Sequence, residues 1–169
     1  MKHCLSAVAL SAIALLPSGA SADVRYDFTA LSAYATAGET VTGTFSVTLP
    51  TFVTSALDIP VASLTACQTV SSVGASSCVD QWMRPDEQAG YDAIAFGWES
   101  PTAYTVHNYY YFADGALSAY GTYASVLLDG QSGTLVVSEV SVVPEPATGL
   151  SLAAGLAGLM GLLARRRRS

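Results

Sequence analysis

Apolar and polar residues alternate along most of the stretch 23–143. Val24, Tyr26 and Phe28 fall on one face of the first segment, and Val41, Phe45, Val47 and Leu49 do so in TVTGTFSVTL. Ile94, Phe96 and Trp98 share a face in YDAIAFGWE. Val106, Asn108, Tyr110 and Phe112 alternate with His107, Tyr109 and Tyr111, and the runs 120–128 and 135–142 complete the series. Successive side chains of a strand point to opposite faces, so period-two runs rich in Val, Thr and Tyr, broken by Gly, Asp and Pro, read as strands. Asp114-Gly115 and Asp129-Gly130 supply the positive φ that tight turns need. The pattern predicts an all-β fold of six to nine antiparallel strands, the last two paired as a hairpin. An antiparallel β-sandwich, jelly-roll or Ig-like, is the most economical way to bury their apolar faces.

Residues 66–92 break the alternation. They read as one long loop in which Arg-Pro-Asp-Glu-Gln-Ala-Gly makes a turn with a single helical turn. Cys67 and Cys78 lie in this loop and form an even pair, expected to join as a structural disulfide across QTVSSVGASS. By chain entropy such a bridge contributes roughly 2.5–3 kcal/mol.

Two apolar runs stand outside the alternation. Lys2 precedes the apolar stretch 5–16, Pro17 and Gly19 break it, and Ala20-Ser21-Ala22 has the small-x-small form of a signal-peptidase site. A signal peptide over 1–22, cut between Ala22 and Asp23, is expected. At the other end, 147–164 carries no charge; as a helix it is about 27 Å long at roughly 1.5 Å per residue. That just reaches across a hydrocarbon core of about 30 Å. Arg165, Arg166, Arg167 and Arg168 follow, and arginines beside a span favour the cytoplasmic side. The expected plan is therefore a signal peptide (1–22), a secreted domain (23–143) and a tail with a transmembrane helix (144–169).

Val143-Pro144-Glu145-Pro146, an apolar span and a terminal arginine cluster together resemble a PEP-CTERM sorting signal over residues 143–168. Proteins of that class occur in Gram-negative bacteria that make exopolysaccharide. The resemblance implies processing near Pro144, Glu145 and Pro146 by an exosortase, a membrane-embedded cysteine transpeptidase. It also implies passage through the inner membrane, transient anchoring by the C-terminal helix, and a final place at the cell surface or in an extracellular biofilm matrix. It identifies cargo rather than activity.

Removing both ends changes the electrostatics. The whole chain is −6, but residues 23–143 hold Arg25 and Arg84 against twelve acids and contain no lysine, giving about −10. Nucleic acid is excluded as a partner, because it is held by positive charge. The stretch has one histidine and neither a G-x-S-x-G nor an H-E-x-x-H motif. No catalytic residue, cofactor or metal site is expected, and Asp80, Asp86, Glu87 and Asp92 do not form a calcium-loop motif. The expected role is a non-enzymatic structural or adhesive component associated with exopolysaccharide. The alternative is a carbohydrate-binding module using Trp82, Trp98, Tyr109 and Tyr111, since aromatic faces with polar tips suit sugar rings. A small glycoside hydrolase is the weakest reading; it would need two carboxylates placed in a cleft.

Overall fold

The computed structural model describes residues 22–34, 38–101, 104–126 and 131–140. The signal-peptide reading up to Ser21, the Pro144-Glu145-Pro146 motif, the transmembrane helix and the four arginines lie outside the described residues, as does Asp129-Gly130. The described residues fall within one compact unit. They form ten strands: β1 (Asp23–Tyr34), β2 (Thr40–Leu49), β3 (Leu57–Ile59), β4 (Ala66–Ser71), β5 (Ser77–Cys78), β6 (Gln81–Gln88), β7 (Tyr91–Glu99), β8 (Thr105–Ala113), β9 (Gly121–Ala124) and β10 (Ser132–Val140). One turn of 3₁₀-helix (Val61–Ser63) sits between β3 and β4, and the described residues contain no α-helix.

The strands make two antiparallel sheets. Sheet A runs β4-β2-β1-β10-β9; sheet B runs β3-β6-β7-β8, with the short β5 sharing with β6 the edge of β7 opposite β8. The last two strands pair as expected, Leu135 opposite Tyr123. The other edge of β10 pairs with β1, Asp23 opposite Val140, so the first and last strands lie side by side.

One core joins the sheets in a sandwich-like arrangement. Val24, Tyr26 and Phe28 of β1 point inward, as do Ile94, Phe96 and Trp98 of β7. The Phe28 ring is central. It lies 5.4 Å from Phe45 within sheet A, and 5.8 and 4.9 Å from Phe96 and Tyr110 across the core, in the tilted geometries aromatic pairs prefer. Gly43 makes this packing possible, because a Cβ there would come within 2.4 Å of Phe96.

The core also holds polar clamps. Tyr26 donates its hydroxyl to Leu117 O (2.7 Å) and accepts from Val53 N (2.9 Å), tying the loop after β2 to the loop before β9. Asp92 accepts Asp86 N on one oxygen and Leu117 N on the other. Buried backbone groups must find partners, and these side chains provide them where no strand does.

Two expectations are corrected. The strand count among the described residues is ten, and residues 66–92 are not a long loop with a helical turn: they contain β4, β5 and β6. Pro85 and Asp86 sit in a bulge of β6, where the register with β7 shifts between Arg84 and Gln88 and Asp86 takes φ +51°. Bulges accept the proline and the extra residues that erase simple alternation. Gln81 hides the rest of the signal. It is fully buried, and its side-chain amide bonds both Gly97 N and Gly97 O at 2.9 Å, filling the gap between β6 and β5 along β7. The expected Cys67–Cys78 disulfide is present, and it joins β4 of sheet A to β5 of sheet B.

Candidate functional site

On its outer face the central strand of sheet B is lined by small residues: Ala93, Ala95 and Gly97, all buried. Register places Trp82 of β6 and Tyr109 of β8 on either side of Ala95, Arg84 and Tyr111 on either side of Ala93, and His107 beside Gly97. Large side chains on the flanking strands therefore lean over a narrow floor. The Trp82 and His107 rings stack at 4.0 Å and 10°. Tyr109 lies 6.5 Å from Trp82, and Tyr109 and Tyr111 are near-parallel at 6.2 Å. The Arg84 guanidinium sits 5.3 Å from the Trp82 ring centre, a cation–π distance. Together the rings form one outer aromatic row.

Gly97 sets the geometry at one end. A Cβ there would meet His107 Nε2 at 2.5 Å, so only glycine lets the imidazole close over the strand and reach Asp80 O at 3.0 Å. Because His107 and Arg84 flank Trp82, the indole is held upright, with much of its face already in contact. Trp82, His107 and Tyr109 each keep part of their surface open to solvent, whereas Tyr111 is buried.

Of the four aromatic residues expected to face a glycan, the structure brings three together. Trp82 and Tyr109 are half-buried and Tyr111 is 9% exposed. Trp98 does not belong to the site. It is fully buried in the inner face and packs on Phe96, because its β7 position has the same parity as Ile94 and Phe96. Sequence reasoning missed His107 and Arg84 as members of the row. The signal for them was the small-x-small-x-small pattern of Ala93, Ala95 and Gly97, which marks a strand face that bulky neighbours must cover.

Both arginines of residues 23–143 are paired. Arg84 contacts the Asp58 carboxylate and donates to Leu57 O (2.9 Å) and Met83 O (3.1 Å). On the outer face of sheet A, Arg25 pairs with Asp27 at 2.8 Å. Partial burial pushes the Asp27 carboxyl up, but hydrogen bonds from Arg25 and Ser46 and the Arg25 charge outweigh it, leaving the group below its ordinary value. Glu39 is screened from solvent by its immediate partners, near the rim of the packing. Ser100 and Ser71 donate to its two oxygens at 2.7 Å each and lower its carboxyl below the usual range. The Trp98 indole N–H, which makes no hydrogen bond of regular geometry among the described residues, adds the smallest contribution in the same direction.

Among the described residues, no three His, Cys, Asp or Glu side chains gather closely enough to hold a metal ion. No described helix is long and apolar enough to cross a membrane. Asp92, one of the acids considered for chemistry, has both oxygens on backbone N–H groups and acts as a loop clamp.

The folded part is thus an all-β, antiparallel, disulfide-bonded module with an aromatic outer row. Residues 142–168 match the PEP-CTERM protein-sorting motif, so the chain carries that sorting signal. The motif implies export, transient membrane anchoring and processing by exosortase. No curated protein and no solved structure matches the chain.

Proposed function

We propose that the mature domain is a non-enzymatic structural or adhesive component of an exopolysaccharide matrix, and that it touches the polymer through the aromatic row of sheet B. One observation carries the reading: the partly exposed rings of Trp82, Tyr109 and His107 lie together on a single outer face, with the buried Tyr111 ring stacked against Tyr109. Rings held rigidly before contact lose little entropy on binding, and hydroxyl-tipped edges suit a hydroxylated polymer. In this reading the two sheets form a β-sandwich of jelly-roll or Ig-like type. A signal peptide ending at Ala22 leads export from a Gram-negative cell, and a transmembrane helix in the tail holds the precursor until exosortase cuts near Pro144-Glu145-Pro146. The disulfide supports the export step, since such bridges persist in oxidising compartments.

Glycan-array binding by the processed, secreted form tests the proposal. Binding is expected, with loss on Trp82→Ala or Tyr109→Ala while the fold, followed by circular dichroism, is kept. Absence of binding to any polysaccharide would remove the contact role.

A further inference from the structure

We infer that the polymer engaged by the aromatic row is an uncharged polysaccharide, and that acidic polymers, such as those built from uronates, are rejected. This inference rests on the saccharide-contact reading of sheet B. Residues 23–143 contain two cationic side chains apart from histidine, and both are neutralised within the fold. Arg25 pairs with Asp27 on the other sheet. Arg84 stands in the row itself, and on an acidic-polymer surface it would be the hook for a carboxylate. Its guanidinium is instead turned to Asp58, Leu57 O and Met83 O, and it braces the Trp82 ring. It serves as a strut, with its charge already matched.

The surroundings add repulsion. The domain as a whole is about −10, and within the row the Arg84 charge is already balanced by Asp58. A carboxylated chain brought onto this face would meet like charge with no free cation among the described residues, which costs free energy and slows encounter. An uncharged chain meets no such barrier. Its apolar ring faces and hydroxyls suit the partly exposed rings of Trp82, His107 and Tyr109.

Two cellulose ethers with one backbone and different charge separate the possibilities. Affinity electrophoresis of the processed protein in low salt uses hydroxyethylcellulose, galactomannan and dextran as neutral probes. Carboxymethylcellulose and alginate are the acidic ones. Retardation by at least one neutral polymer is expected, with carboxymethylcellulose weaker than hydroxyethylcellulose by about tenfold or more. Equal or stronger retardation by the acidic probes would overturn the inference and leave the contact role standing. No retardation by any probe would instead overturn the contact role, and this inference with it. Asp58→Asn gives a second, opposite-signed test. Freeing the Arg84 charge should strengthen retardation by carboxymethylcellulose and leave the neutral polymers unchanged; no gain would mean that Arg84 pairing does not set the selectivity.

Discussion

Tyr26 is a core aromatic with a polar duty. Its ring fills the inner face of β1, while its hydroxyl holds Val53 N and Leu117 O. Tyr26→Phe keeps the ring and strands both backbone groups, so we expect a loss of about 1–3 kcal/mol in urea unfolding with an unchanged m-value. Burial, partly offset by the Val53 N–H, raises the Tyr26 phenol above its ordinary value of 10.0. A raised acid is more stable protonated in the fold. Its contribution is therefore complete below pH 10.0 and is lost as pH climbs through the raised value. Glu39 has the opposite sign. Its folded-state value is depressed below 4.5, so its contribution is present above pH 4.5 and is lost as pH falls through the depressed value. Glu39→Gln should cost about 1 kcal/mol at neutral pH, allowing for screening at the rim, and should flatten the acid limb of the melting-temperature profile. The two tryptophans divide just as sharply. Trp98→Ala is expected to cost about 3–5 kcal/mol by emptying the core, whereas Trp82→Ala should cost far less and act on binding.

Among elements, β7 explains which parts of the fold could be read from the chain. Strands β1, β2 and β8 bury one face in the core and leave the other at least partly open, so their alternation is visible in the residues. On β7 both faces are covered, inside by Phe28 and its neighbours and outside by the aromatic row. Only the size difference between Ala93-Ala95-Gly97 and Ile94-Phe96-Trp98 records which face is which. That same parity assigned Trp98 to the core, although indole chemistry alone made it a glycan candidate. β6 was illegible for another reason: its bulge at Pro85 and the buried amide of Gln81 replace regular pairing with side-chain solutions. The row itself was half legible. Tyr109 and Tyr111 follow from alternation on β8, but their meeting with Trp82 depends on a register that no local pattern encodes. The disulfide belongs to this scale too. Cys67 and Cys78 are 11 residues apart and link strands of different sheets. Replacing both with alanine should lower stability by about 2.5–3 kcal/mol, measured by denaturant unfolding under non-reducing conditions.

For the whole molecule, processing decides what the working protein is. Mass spectrometry of the surface or secreted form should find a chain beginning at Asp23 and lacking Arg165 to Arg168. An intact tail in that form would contradict exosortase processing. Removal of both cationic ends would move the protein from −6 to about −10, so a form trimmed to residues 23–143 should migrate as a strongly acidic species. The pairing of β1 with β10 has a mechanical consequence for such a displayed domain. A pull applied at Val140 runs along the axis of β10, which is hydrogen-bonded to β1 on one edge and to β9 on the other. The load is then shared in shear by bonds on both edges, instead of opening them one after another. Force applied between Asp23 and Val140 would act at a single end of the β1–β10 ladder and peel it rung by rung. A pull along β10 should therefore meet more resistance than a pull between Asp23 and Val140.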